Sequence, residues 1–100
     1  MSIVLVRSSV EAPPRLIAET RVDFRAMAME VLERSAESGK GQLCIDMTAT
    51  EEVDASGLGT LVVLQKRARE RGLKTQLQAA QPQVRSLLAA TKLEALFDFR

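Results

Sequence analysis

Residues 54–63 of this 100-residue chain place an acid, a serine and two glycines just ahead of an apolar run. The side chains of Asp54 and Ser56 can accept hydrogen bonds from the unpaired N–H groups at a helix N-terminus. The positive end of the helix dipole also favours an anion there, including a phosphate carried by a serine. The glycines allow another backbone to approach closely, or allow the helix to pack closely on a strand. The segment therefore suggests a cap, a modified serine or a contact surface.

Catalysis finds little support in the residue types. The chain contains no histidine, so the commonest general base is missing, and Ser56 has no visible activating partner. Residues 57–59 lack the rest of a dinucleotide fingerprint, and the Gly-Lys-Gly at 39–41 lacks the P-loop spacing. One cysteine and scattered carboxylates make a poor metal site. We expect a protein that is not an enzyme and that has no metal and no cofactor.

Composition favours a single domain over residues 1–100, because 46% of the residues are apolar and the net charge is only +1. No apolar run approaches the roughly 20 residues that span a bilayer, and the N-terminal residues show no basic stretch followed by an apolar signal core. The single cysteine, Cys44, is expected to be a buried, inert thiol, which fits the reducing cytoplasm.

The basic run from Lys66 to Arg71 is interrupted by Glu70 and has no aromatic residue, so it predicts a solvated helix face and no nucleic-acid surface.

The apolar pattern predicts strands that alternate with helices. Strands are expected at 3–6, 15–18, 43–47, 75–78 and 96–99, with 43–47 at the centre of the sheet. Helices are expected from Asp23 as N-cap to Gly39, from Asp54 to Gly72, and from Pro82 to about Thr91. Residues 48–54 are expected to form a polar loop. This alternation predicts an α/β domain with helices packed on a sheet.

The helix after Asp54 has two distinct sides at the helical repeat of about 100° per residue. The side predicted to pack on the sheet carries Leu58, Leu61, Leu64, Gln65 and Ala68. The opposite side carries Ser56, Gly59, Thr60, Val63 and Arg67. An outward valine beside small residues suits contact with a partner protein, although single exposed valines are common on protein surfaces.

The strand at 43–47, the motif Val53-Asp54-Ala55-Ser56-Gly57-Leu58-Gly59 and the helix that follows resemble the STAS domain of bacterial anti-sigma factor antagonists. The resemblance is strongest over residues 42–77. It implies an α/β fold with a mixed β-sheet of four or five strands and three or more helices packed mainly on one side. It also implies a switch: a partner kinase, which is also the anti-sigma factor, phosphorylates the serine after the motif aspartate. The unmodified antagonist binds that kinase and releases the sigma factor.

The sequence differs from the family pattern at the phosphorylated position. Ala55 follows Asp54 and has no hydroxyl, whereas Ser56 matches the second small hydroxylated position of the motif. Ser56 is therefore either a displaced phosphate acceptor or a helix cap. Glu51 and Glu52 stand where relatives often have apolar or aromatic residues, and this acidic pair would repel an added phosphate and suit a basic partner.

The resemblance implies a protein partner and leaves its class open. The first hypothesis is a partner-switching regulator of transcription that binds a serine kinase with anti-sigma activity. The alternative is a STAS subunit of an ABC-type lipid transporter, which docks on the transporter ATPase. Neither hypothesis involves nucleic-acid binding or membrane insertion. The expected partner-binding residues are Asp54, Ala55, Ser56, Gly57, Gly59, Thr60 and Val63.

Overall fold

The computed structural model describes residues 9–39 and 41–100. The strand predicted at 3–6 lies outside these residues. In chain order the elements are β1 (Ser9–Glu11), β2 (Arg15–Leu16), α1 (Arg21–Glu37), β3 (Gln42–Asp46), β4 (Glu52–Val53), α2 (Ala55–Glu70), β5 (Lys74–Gln78), α3 (Pro82–Ala90) and β6 (Asp98–Phe99). A short 3-10 turn, Glu94–Leu96, precedes β6.

The main sheet has the strand order β1-β3-β5-β6, and β2 pairs separately with β4. Every strand pair in the described residues is parallel, where the resemblance implied a mixed sheet. Each connection leads to the next strand in the same direction, so right-handed crossovers place α1, α2 and α3 on one face. The predicted α/β class, with four strands and helices on one side, is confirmed.

Strand β3 lies at the centre of the sheet, as predicted, because it pairs with β1 on one side and with β5 on the other. Leu43 and Ile45 are fully buried, as expected for a parallel strand covered on its faces. The Cys44 thiol is also buried and donates to the Gln76 side-chain oxygen at 3.3 Å. Burial raises the pKa of Cys44, so the thiol stays protonated at neutral pH. The prediction that this thiol is buried in the core is confirmed.

Helix α1 buries a stripe at helical spacing, Phe24, Ala28, Leu32 and Ser35. Its predicted N-cap, Asp23, is wrong because the helix begins two residues earlier, with Thr20 at the cap position. The Thr20 hydroxyl accepts from the Ile17 N–H at 3.0 Å and donates to the Arg15 carbonyl at 2.6 Å. These bonds fix a turn that sets the helix start, and Asp23 lies in the first turn, where a carboxylate complements the helix dipole.

Helices α2 and α3 follow the sequence closely. Leu61, Leu64, Gln65 and Ala68 of α2 are buried as predicted, and Leu58 packs against the core at its edge. Helix α3 begins at Pro82, as expected, and buries Val84 and Leu88. The Arg85 guanidinium lies 4.3 Å from the centroid of the Phe99 ring on β6. This cation–π contact helps to hold α3 against the edge strand.

The basic run on α2 is a solvated surface, as predicted. Arg67 lies 4.0 Å from Glu70 one turn along the helix, and Arg71 forms a salt bridge with Glu33 of α1. The described part of the chain contains no helix that is both long and apolar enough to cross a bilayer.

Candidate functional site

Asp54 is the N-cap of α2 and joins the helix start to the segment after β2. One carboxylate oxygen accepts from the Gly57 N–H at 2.8 Å. The other accepts from the Ala18 N–H at 3.1 Å, and the Asp54 N–H donates to the Leu16 carbonyl at 3.3 Å. Of the two candidate caps in the sequence, the structure selects Asp54 and leaves Ser56 at the second helical position.

These contacts also set the charge at the helix start. The pKa of Asp54 is lowered, chiefly by the Gly57 N–H hydrogen bond and further by the Ala18 N–H. Asp54 is therefore a carboxylate at neutral pH, and it complements the positive end of the helix dipole. Its charge interacts with the helix dipole, and its two oxygens are hydrogen-bonded to the helix start and to the adjoining segment.

Gly57 is buried where α2 crosses β2. A Cβ atom at this position would lie 2.1 Å from the Leu16 carbonyl oxygen and 3.0 Å from a methyl carbon of Val53. The glycine therefore permits close packing of helix on strand, one of the two roles open from sequence. Because Gly57 is buried against β2 and β4, it is not available to a partner in this conformation.

Thr60 was expected to face outward and is instead buried, with 5% of its surface exposed. Its hydroxyl donates to the Ser56 carbonyl at 2.9 Å, so its polar group is satisfied within the helix. The close approach at Gly57 brings the neighbouring side of α2 onto the core, and Thr60 lies on that side. The prediction that Thr60 faces outward is therefore wrong.

Five of the expected contact residues remain at the surface. One is the half-buried cap residue Asp54, and we call the other four the α2 face: Ala55, Ser56, Gly59 and Val63. Ala55 and Gly59 are exposed, while Ser56 and Val63 are half-buried. The spacing of Ser56, Gly59 and Val63 places them on one side of the helix. Within residues 9–39 and 41–100, a Cβ atom at Gly59 would have no neighbour within 4 Å outside its own helix backbone. The α2 face thus carries small side chains and is open, with the apolar side chain of Val63 at one end.

The loop beside the α2 face is held by the segment that precedes β2. The buried Thr50 donates through its hydroxyl to the Pro13 carbonyl at 2.9 Å, and the Glu51 N–H donates to the Pro14 carbonyl at 2.8 Å. At the start of the loop, Asp46 accepts from the Thr48 hydroxyl at 2.6 Å and from the Thr48 N–H at 3.0 Å. These bonds lower the pKa of Asp46. The predicted polar loop is therefore an anchored structure, and it contains the short strand β4.

The acidic pair in this loop is only partly free to attract a basic partner. Both Glu51 and Glu52 are exposed, but Glu52 accepts from the Arg15 guanidinium at 2.8 Å. This ion pair crosses between β2 and β4 and is itself solvent-exposed, so it contributes about 0–1 kcal/mol to stability. Within the pair, Glu51 is the residue that forms no salt bridge among the described residues.

No metal centre is built by the described residues, since their cysteine and acidic side chains form no group of three that could hold an ion. A family model described as "Mlab, STAS domain" matches residues 8–98. The chain belongs to the STAS domain family. Comparison with curated protein sequences gave no match.

Two solved structures share the fold of this STAS domain. The crystal structure of TM1081 from Thermotoga maritima, a candidate anti-sigma factor antagonist, matches with a TM-score of 0.74 and 20% identity, over 96% of this chain and 81% of that chain. The NMR structure of TM1081 matches with a TM-score of 0.73 and 18% identity, over 97% and 77% of the two chains. At such identities the likeness supports the fold alone.

Sequence reasoning predicted a strand at 15–18, where β2 lies, but missed its contacts with the motif of this STAS domain. Leu16 receives the Asp54 N–H and lies under Gly57, while Ala18 donates to the Asp54 carboxylate. Nothing in the local sequence marks these backbone contacts, because two-residue strands such as β2 and β4 form only when distant segments pair.

Proposed function

We propose that this STAS domain is a non-enzymatic interaction module that binds a partner protein through the α2 face, as an anti-sigma factor antagonist does. The observation that carries the proposal is the open surface at Gly59, on a helix start whose other side is held against β2. Gly57 and Asp54 hold α2 on β2, while a Cβ atom at Gly59 would meet no atom of another described element within 4 Å.

Such a surface suits close docking for physical reasons. Small residues let a partner backbone or flat side chain approach the helix axis, and the half-buried Val63 offers apolar area that a partner can cover. The capped helix start and the anchored loop need little ordering on binding, so little of the binding free energy is lost to conformational entropy.

For the partner, we propose a serine kinase with anti-sigma activity. The support is the family membership and the motif around Asp54, together with the fold shared with a candidate anti-sigma factor antagonist. The alternative partner is a transporter ATPase, and the experiment below distinguishes it from a kinase.

For regulation, we propose Ser56 as the phosphate acceptor. It is the hydroxylated residue of the α2 face, since Ala55 has no hydroxyl and Thr60 is buried and bonded within the helix. At the second position of α2, a phosphate would lie near the free N–H groups and the positive end of the dipole, so the fold should tolerate it. Its negative charge beside the Asp54 carboxylate would change the surface that the partner meets.

The test is affinity capture from native lysate, with the wild-type chain, Gly59→Arg and Ala89→Arg as baits. Ala89 is exposed on α3, so its variant gains the same side chain away from the α2 face. Mass spectrometry should identify a serine kinase with the wild-type and Ala89→Arg baits and lose it with Gly59→Arg. Equal capture by Gly59→Arg would place the interface elsewhere. Specific capture of an ABC-type ATPase would replace the kinase as partner.

A further inference from the structure

A groove of about 460 Å³ opens on the other side of the segment that supports the α2 start, between that segment and the first turns of α1. Apolar atoms make most of its wall, from Ala12, Pro13, Pro14, Phe24, Met27 and Ala49. Three acidic residues, Glu11, Glu19 and Asp23, also line it and are exposed. The groove is thus an apolar trough with a negative rim.

Met27 supplies exposed apolar surface to this groove, since it is 50% exposed, whereas Phe24 and Ala12 are nearly buried in its wall. Val22, five residues earlier on α1, is 66% exposed but does not line the groove. Met27 and Val22 are the exposed large hydrophobic residues within the described ranges 9–39 and 41–100. A methionine adapts its shape to varied partners, because its side chain is unbranched and polarizable.

The charge on the rim is not cancelled locally. In the part of the chain that the structure describes, the salt bridges involve Glu33, Glu52 and Glu70 but none of the three rim carboxylates. The nearest cations along α1, Arg21 and Arg25, do not line the groove. A segment that enters the groove therefore meets an apolar wall and an excess of negative charge.

We propose that this groove binds a segment of the partner protein in which a large apolar side chain is flanked by arginine or lysine. The apolar side chain would cover Met27, beside the nearly buried Phe24. The flanking cations would lie against Glu19 and Asp23. Charge complementarity decides the class of segment, because an acidic one would be repelled at the same positions.

This inference rests on the proposed function, since it extends the partner footprint beyond the α2 face. Residues 12–20 connect the two surfaces: Thr20 lines the groove, while Ala18 and Leu16 contact the start of α2. A partner that lies across this segment would engage both surfaces at once.

The test uses two synthetic peptides of equal length with the same central Leu-Leu pair, one flanked by lysine and arginine and the other by glutamate and aspartate. Each is titrated into the full ¹⁵N-labelled chain, and amide shifts are followed by NMR. The basic peptide should shift the amides of Thr20, Phe24 and Met27 saturably, and the acidic peptide should not. The double variant Glu19→Lys/Asp23→Lys should bind the basic peptide about tenfold more weakly, as expected for losing two exposed charge contacts and adding repulsion.

The control is Glu30→Lys/Glu37→Lys, which makes the same charge change on exposed positions of α1 that do not line the groove. It should bind the basic peptide within about twofold of the wild-type chain, because distant exposed charges are screened. The proposal fails if the basic peptide leaves the groove amides unshifted, if the acidic peptide binds equally, or if the control is weakened as much as the rim variant. Concentration-dependent shifts of the same amides without peptide would assign the groove to a second copy and would also overturn it. Because Gly59 is untouched here, failure of the groove and failure of the α2 face give different results.

Discussion

Replacing Gly57 with alanine tests the contact that seats α2 on β2. The new Cβ atom would lie 2.1 Å from the Leu16 carbonyl oxygen, whereas ordinary contacts begin at 3.4 Å, so the backbones must separate by about 3.4 − 2.1 = 1.3 Å. Leu16 cannot retreat freely, because it pairs with Val53 and accepts from the Asp54 N–H. Overpacking of this kind costs about 1–3 kcal/mol, and the better helix propensity of alanine returns about 0.5–1 kcal/mol. The two terms together span about 0–2.5 kcal/mol, and because the 2.1 Å neighbour is a backbone atom we expect a net loss of about 1–2 kcal/mol.

Thermal unfolding followed by far-UV circular dichroism measures this loss, and at about 4–8 °C per kcal/mol the Gly57→Ala variant should melt about 4–16 °C below the wild-type chain. Gly59→Ala is the matched control, since it makes the same substitution two residues later in open space. It should be stabilised by about 0.5–1 kcal/mol, because alanine restricts the unfolded chain and favours the helix. Equal melting temperatures for Gly57→Ala and the wild-type chain would refute the proposed close contact.

Three further predictions concern the core, the cap and the switch. Leu61→Asp places a charge at a fully buried position and should unfold the domain, whereas Val22→Asp, at a position 66% exposed, should melt close to wild type; a folded Leu61→Asp protein would contradict the core assignment. The lowered pKa of Asp54 means that its charge stabilises the fold above its unfolded pKa of 3.8 and that this contribution is lost as the pH falls through its lower folded value. Asp54→Asn should therefore have a lower free energy of unfolding in urea than wild type near neutral pH, and this difference should disappear in strong acid. A difference that does not depend on pH would show that the charge of Asp54 does not cause it. Ser56→Asp should weaken partner binding, while Ser56→Ala should bind normally and lose kinase labelling; labelling that persists in Ser56→Ala would exclude Ser56 as acceptor.

Much of the fold is predictable from local patterns. The apolar run at 43–47 and the helical spacing after Asp54 identify β3 and α2, since these elements carry their burial pattern in consecutive residues. Pro82 likewise marks the start of α3, where a missing N–H costs nothing. The family motif adds that the helices pack mainly on one side of the sheet, but the parallel pairing of all described strands is seen only in the structure.

The remaining features depend on contacts between distant segments. Strand β1 contains a single apolar residue, Val10, and exists because it pairs with β3. Strand β4 lies in a polar loop and pairs with β2. The burial of Thr60 follows from the backbone contact at Gly57, which a helix wheel of side chains does not represent. The groove beside α1 is also invisible in the sequence, because its wall comes from three separate segments.

The central claim is that a partner protein binds the α2 face, and isothermal titration calorimetry with the purified captured partner tests it most directly. The wild-type chain and Ala89→Arg should bind with the same Kd. Gly59→Arg, whose melting temperature serves as the folding control, should bind at least about a hundredfold more weakly, the loss expected when bulk obstructs the centre of an interface and costs about 3 kcal/mol. An unchanged Kd for a folded Gly59→Arg chain would contradict the account.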